Sequence, residues 1–289
     1  MFRKRGGSNS PNVPSDNRFV MTICDILFPM RKFPTFLTAA ALALLTGCFD
    51  NHGRPEDATP VTSLQALSAT NRADVVRLYL RGGSEAIPDG ALVGLANLRE
   101  LDLSERRLTV VPKDVFALTA LESLWLSRNQ FEKVPAELAK LPELLYLNLD
   151  ENRLAEIPEA LGDAPKLRWL RLNRNQLTAL PAALGKIKTL RRFYAQHNQL
   201  KEVPGFLQEC PQLDAIVLDG NPIVGVPDWL TRMPMLRSVS LSGCRITKLP
   251  ENLTGWRRLK SLALGGCPIP AEEMQRIRKA LGDDVAVSF

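Results

Sequence analysis

The sequence predicts an α/β solenoid, with a parallel β-sheet along a concave face, short helical segments along the convex face and one core between them. Three observations carry this. From Leu98 the chain repeats with an unbroken period of 23 residues, and Leu98, Leu121, Leu144, Leu167, Leu190, Leu213, Leu236 and Leu259 open eight successive copies. Leucine supplies 47 of the 289 residues, an excess typical of helix bundles and repeat arrays, and the fixed period selects the array. Within each copy an alternating apolar pair, such as Leu170 and Leu172, gives way to an asparagine, an apolar residue and a proline, so strand spacing yields to turn and helix signals.

Each position has a physical reason. The alternating pair makes a short strand whose leucines point inward while their neighbours face solvent. The asparagine at the ninth position (Asn129, Asn152, Asn175, Asn198, Asn221) turns the chain, and in stacked copies its amide satisfies backbone groups of the turn. An inward apolar residue follows (Leu108, Phe131, Leu154, Leu177, Leu200, Ile223, Ile246). Next comes a proline (Pro112, Pro135, Pro158, Pro181, Pro204, Pro227, Pro250) whose fixed φ suits the start of a convex helical segment. No copy buries its apolar side alone, so stability comes from stacking. The unit LxxLxLxxNxLxxLPxxLxxLxx, as in LRWLRLNRNQLTALPAALGKIKT over 167–189, resembles the leucine-rich repeat family, and the resemblance covers residues 75 to 289. It implies a curved right-handed horseshoe that binds on its concave sheet.

Residues 98–289 are expected to hold the eight repeats and a closing cap. Residues 61–97 are expected to hold an amino-terminal cap, with a helix over Val61 to Asn71 and a degenerate copy over 75–97. At the far end Met274, Ile277 and Leu281 fall at helical spacing, and Val285, Val287 and Phe289 then alternate. This looks like the closing helix and strand common in bacterial members of the family, with no catalytic domain expected beyond it.

The amino end carries an export signal. Arg31 and Lys32 precede an apolar run from Phe36 to Leu45, too short to span a bilayer and of a length that suits a signal core. The run ends in Leu45-Thr46-Gly47-Cys48, which resembles the bacterial lipobox. The resemblance implies cleavage before Cys48, a diacylglycerol thioether on its sulfur and an acyl chain, such as palmitate, on its amino group. A plain secretory signal or a short buried helix is the alternative. Residues 1–47 are therefore read as an extension plus signal peptide with the true start at Met30, and 48–60 as the lipidated cysteine and a polar tether. The charge follows this division: the chain totals +6, but residues 1–48 hold +4 of it, leaving +2 on the mature protein.

Material for catalysis is scarce. His52 and His197 are the only histidines, no paired carboxylates mark a cleft, and no catalytic residue, metal site, cofactor or small-molecule substrate is expected. Cys244 and Cys267 occupy the asparagine position of adjacent repeats, either as turn cysteines or as a disulfide, and Cys210 reads as core. Glu105, Arg128, Glu151 and Arg174 alternate in sign at the eighth position, the pattern of a surface ion-pair ladder.

The functional signal lies on the concave face. Residues flanking the inward leucines include all three tyrosines of the chain and two of its four tryptophans, whereas the last three strands offer small side chains. These aromatics are expected to point to solvent, and Arg168, Arg171, Arg191 and Arg192 to lack regular partners. Exposed aromatics beside arginine are interface anchors, so Tyr79, Trp125, Tyr146, Trp169, Arg171, Arg192 and Tyr194 form the candidate partner-binding patch; stacking that only stiffens the sheet is the alternative. Trp229 and Trp256 fall in convex segments and read as packing. The expectation is a non-catalytic, monomeric lipoprotein of the bacterial cell envelope, held through Cys48 in the outer membrane and binding a protein on its concave face. A secreted or host-directed interaction factor is the alternative, with a protein that binds or acts on envelope glycans behind it. Nucleic acid does not fit an exported protein.

Overall fold

A computed structural model describes residues 59–289 apart from 69, 84 and 85. The signal segment with its Met30 start, Cys48 and the tether up to residue 58 lie outside the described residues.

Ten strands form one parallel sheet in chain order. They are β1 (Arg77–Tyr79), β2 (Glu100–Asp102), β3 (Ser123–Trp125), β4 (Tyr146–Asn148), β5 (Trp169–Arg171), β6 (Arg192–Tyr194), β7 (Ala215–Val217), β8 (Ser238–Ser240), β9 (Ser261–Ala263) and β10 (Ala286–Ser288). The register advances by one repeat at each step, so Leu101, Leu124, Leu147 and Leu170 stand side by side. These central leucines are fully buried, as is Phe193, which replaces leucine in β6 and packs edge-on against Phe206 at 5.3 Å. The convex segments are tight. Five are 3-10 helices (Lys113–Ala117, Ala136–Lys140, Glu159–Asp163, Ala182–Lys186, Gly205–Glu209), and the sixth is one α-helical turn, α2 (Asp228–Thr231). A proline with φ between −55° and −74° precedes each, and its carbonyl accepts the first bond, as from Leu161 N to Pro158 O at 3.0 Å. Gly162 lets neighbouring segments approach, since a Cβ there would lie 2.1 Å from the Ala183 carbonyl oxygen.

The asparagine ladder joins the two sides. Asn175 Nδ2 donates to the Leu149 and Leu172 carbonyls, both at 3.0 Å, and its Oδ1 accepts from Leu154 N at 3.1 Å. Asn129, Asn152, Asn198 and Asn221 make the same set. The carbonyl 26 residues back defines the ladder, and other side chains fill it at both ends. Arg106 Nη1 donates to Leu80 O at 2.6 Å, Cys244 Sγ to Leu218 O at 3.7 Å and Cys267 Sγ to Leu241 O at 3.1 Å. Both thiols are free, so of the two readings of this pair the turn cysteines hold. Burial pushes the Cys244 thiol up to about 12.

The eighth position shares one backbone constraint. Glu105, Arg128, Glu151, Arg174 and His197 have φ between 53° and 61°, and Gly220, Gly243 and Gly266 continue the same left-handed turn. Glu105 and Arg128 pair at 2.6 Å, and Arg128 also meets Glu151 at 3.2 Å, so three of the four alternating charges form the expected ladder on the left-handed turn, while Arg174 joins no ion pair among the described residues.

Both ends close the sheet. Val61 bridges Leu78 in parallel, accepting from Tyr79 N at 2.8 Å, so the expected helix over 61–71 shrinks to α1 (Leu64–Ser68). The edge strand needed a partner, and Val61 must be extended to supply one. At the carboxyl end α3 (Ala271–Leu281) buries Ile277, and β10 pairs with β9. Arg276 binds the Leu249, Pro250 and Glu251 carbonyls and fastens α3 to the preceding convex turn.

Candidate binding face

The first and third residues of each strand face away from the core, and from β1 to β6 they carry nearly all the bulky side chains of that surface. The rings form a contacting series across the strands. Tyr79 meets Trp125 edge-on at 6.3 Å, Trp125 meets Tyr146 at 5.3 Å, and Tyr146 meets Trp169 at 5.8 Å. Arginines extend it, with the Arg192 guanidinium over Trp169 at 4.7 Å and that of Arg171 over Tyr194 at 5.2 Å. All seven expected residues therefore share one surface. Beyond Tyr194 the face flattens to Ala215, Val217, Ser238, Ser240, Ser261 and Ala263.

Two expectations need correction. Tyr146 and Tyr194 do not point to solvent: they are 2% and 8% exposed. Strand spacing of about 4.8 Å falls within the separation at which aromatic rings attract, so rings in neighbouring strands lean onto one another and bury each other. Trp125 and Trp169 cover Tyr146 and stay half-buried. Nor do the patch arginines lack partners. Arg171 donates through Nε and Nη2 to Asp150 at 2.8 and 2.6 Å, and Arg192 pairs with Asp214 at 3.4 Å. Arg168 and Arg191 are exposed and make no ion pair among the described residues, although the Arg191 charge acts on Asp214.

The seventh position supplies the acids that sequence reading missed. Asp150 Oδ1 accepts from Asn173 N, Asn173 Oδ1 from Gln196 N, and Asp219 Oδ1 from Ser242 N, each at 2.8 Å. This second ladder runs from copy to copy and leaves the other Asp150 oxygen for Arg171. The signal was present as Asp or Asn recurring at one position.

Burial raises the Tyr146 hydroxyl far above its usual range, and the same cause raises Tyr194. Tyr79 donates to Glu100, which also holds Arg77 at 3.4 Å, and burial with that carboxylate raises its phenol too. Tyr146 Oη and Trp125 Nε1 are buried without a hydrogen-bond partner, Asn148 standing beside the tyrosine outside bonding geometry. Two adjacent donors beneath the outer surface of the sheet thus go unsatisfied, which costs about 1–3 kcal/mol each. Among the described residues no cluster of His, Cys, Asp and Glu has metal-binding geometry, and no helix is long and apolar enough to cross a membrane. Trp256 lies in the core, donating to Leu230 O at 2.8 Å, and Trp229 packs against it from the convex side.

Comparison with known proteins agrees with the architecture. Residues 78–131 and 96–154 match the family model described as leucine rich repeat, and residues 235–256 match a further leucine rich repeat model. Residues 154–244 match the repeat model of leucine-rich repeat and WD repeat-containing protein 1. No curated protein sequence matches the chain. Among solved structures, an internalin of Listeria monocytogenes is similar at 20% identity with a TM-score of 0.62, covering 79% of this chain and 70% of its own. A leucine-rich repeat protein of Leptospira interrogans matches at 20% identity with a TM-score of 0.31, covering 78% of this chain and 85% of its own.

Proposed function

The chain belongs to the leucine-rich repeat family, whose fold serves protein interaction, and on that premise we propose that it is a non-catalytic binding module. It takes a protein partner on the outer face of β1 to β6 and is held at a bacterial membrane by lipid on Cys48. The carrying observation is the contacting series from Tyr79 through Trp169 to Arg192, confined to one part of the sheet. Aromatics and arginine are the residues that dominate binding energy at interfaces. A partner covering them adds apolar burial over the half-buried Trp125 and Trp169 rings.

The anchor is supported by the charged start, the short apolar run and the LTGC box. Its test is fractionation of the full-length protein carrying Cys48→Ser. A shift from the membrane to the soluble fraction is expected, with the partner following the protein. Unchanged fractionation removes the anchor from the account, and release of the wild-type chain into the medium favours a secreted factor.

A further inference from the structure

A row with an excess of cations borders this face, and we infer that it receives an acidic polypeptide segment of the partner. The inference rests on the proposal that the outer face binds a protein. The row is made by the residue immediately before each strand: Arg168, Arg191, Asp214, Arg237 and Lys260 precede β5 to β9. Their backbones are joined in series, Arg191 N to Arg168 O, Asp214 N to Arg191 O and Arg237 N to Asp214 O at 2.8 Å, then Lys260 N to Arg237 O at 2.7 Å. The side chains therefore stand at strand spacing, about 4.8 Å apart. Earlier in the same row Arg99 and Glu122 neutralise each other at 2.8 Å. From β5 onward that balance ends. Asp214 pairs with Arg192 and also lies in the field of Arg191 and Arg237 on either side, so a single acid stands against four exposed row cations, Arg168, Arg191, Arg237 and Lys260, that form no ion pair among the described residues.

Like charges at this spacing repel, and the repulsion grows when a partner excludes water, so a covering surface must bring opposite charge. With +2 on the whole mature chain, this row concentrates more cationic charge than the protein carries net. Three chemical features select a carboxylate-bearing polypeptide. The cations are mainly arginine, whose planar fork matches carboxylate. The row is continuous with the aromatic face, since Arg168 precedes Trp169 and Arg191 precedes Arg192, which lies over that same ring at 4.7 Å. Finally, Trp125 and Trp169 stay half-buried, and their exposed faces offer apolar surface that polypeptide side chains cover. A flat lipid surface on the row would leave the rings uncovered.

The test uses the full-length chain carrying Cys48→Ser and three probes: fluorescein-labelled poly-L-glutamate, heparin, and phosphatidylglycerol vesicles. Replacing Arg168, Arg191 and Arg237 with Gln is expected to weaken poly-glutamate binding about tenfold or more, with a flatter salt dependence. Lys113, Lys140 and Lys186, which lie in the convex segments, remove the same charge when changed to Gln and are expected to change it less than about twofold. Equal losses in both variants overturn the inference, as does wild-type failure to bind poly-glutamate. Row-dependent binding to heparin or vesicles that exceeds poly-glutamate binding overturns it in favour of a glycan or a membrane. Partner capture that survives neutralisation of the row but is lost with the aromatic rings overturns the acidic segment and leaves the face itself standing.

Discussion

Asn175→Ala is expected to destabilise the solenoid by about 2–4 kcal/mol, read as an earlier midpoint in chemical denaturation. The side chain serves the Leu149 and Leu172 carbonyls and the Leu154 amide, all interior groups that water cannot reach once the neighbouring repeats are stacked. Alanine leaves them unsatisfied, and each costs about 1–3 kcal/mol, partly offset by relaxation. The break falls mid-array. Because each repeat contacts only its neighbours, the two halves should begin to unfold separately, giving a broader transition as well as an earlier one. Cys244→Ala sets the scale, since the thiol makes one long contact to Leu218 O at 3.7 Å; a loss near 1 kcal/mol is expected there. Equal effects of the two substitutions would contradict the ladder as the main polar tie between copies.

Replacing both Trp125 and Trp169 with Ala is expected to reduce partner affinity at least about a hundredfold, with the fold retained. These rings are the half-buried members of the series and cover Tyr146 from either side. Cross-strand aromatic pairs contribute about 0.2–1 kcal/mol each to a sheet, so the double variant should lose little stability relative to the buried leucines beneath. The two measurements together separate the readings. Stiffening alone predicts lower stability with capture intact; an interface predicts the reverse.

Much of the fold was legible because the period is a mechanical constraint. A repeat without insertions means every strand finds its neighbour one copy away, and Leu101, Leu124 and Leu147 fall in register for that reason alone. The capping helix α3 and strand β10 were readable from the spacing of Met274, Ile277 and Leu281 and the alternation after it. What escaped depends on contacts between copies. Arg106 fills the ladder because its guanidinium, like the asparagine amide, donates N–H, and its long side chain reaches the carbonyls of the degenerate copy before it. Val61 joined the sheet as a single extended residue, too short for any periodicity to mark. The left-handed turn was hidden under Glu105, Arg128 and Glu151, although Gly220, Gly243 and Gly266 at the same position signalled it.

The site divides in the same way. Alternation identified which residues share the outer face, since a strand dictates direction. It could not show that Tyr146 lies beneath two tryptophans, because burial there arises from side chains 21 and 23 residues away. The Arg171 partner was equally non-local: Asp150 sits in the preceding copy, held by the Asn173 amide so that one oxygen faces the guanidinium.

The claim that the partner covers this face is tested most directly by photo-crosslinking in the native envelope, with a benzophenone amino acid placed at one site at a time. At Ser127 and Gln196, which flank the rings on the outer face, a single adduct to the same protein is expected, while Lys140 and Lys186 on the convex segments give none. Adducts from Lys140 or Lys186 with none from Ser127 and Gln196 would contradict the account.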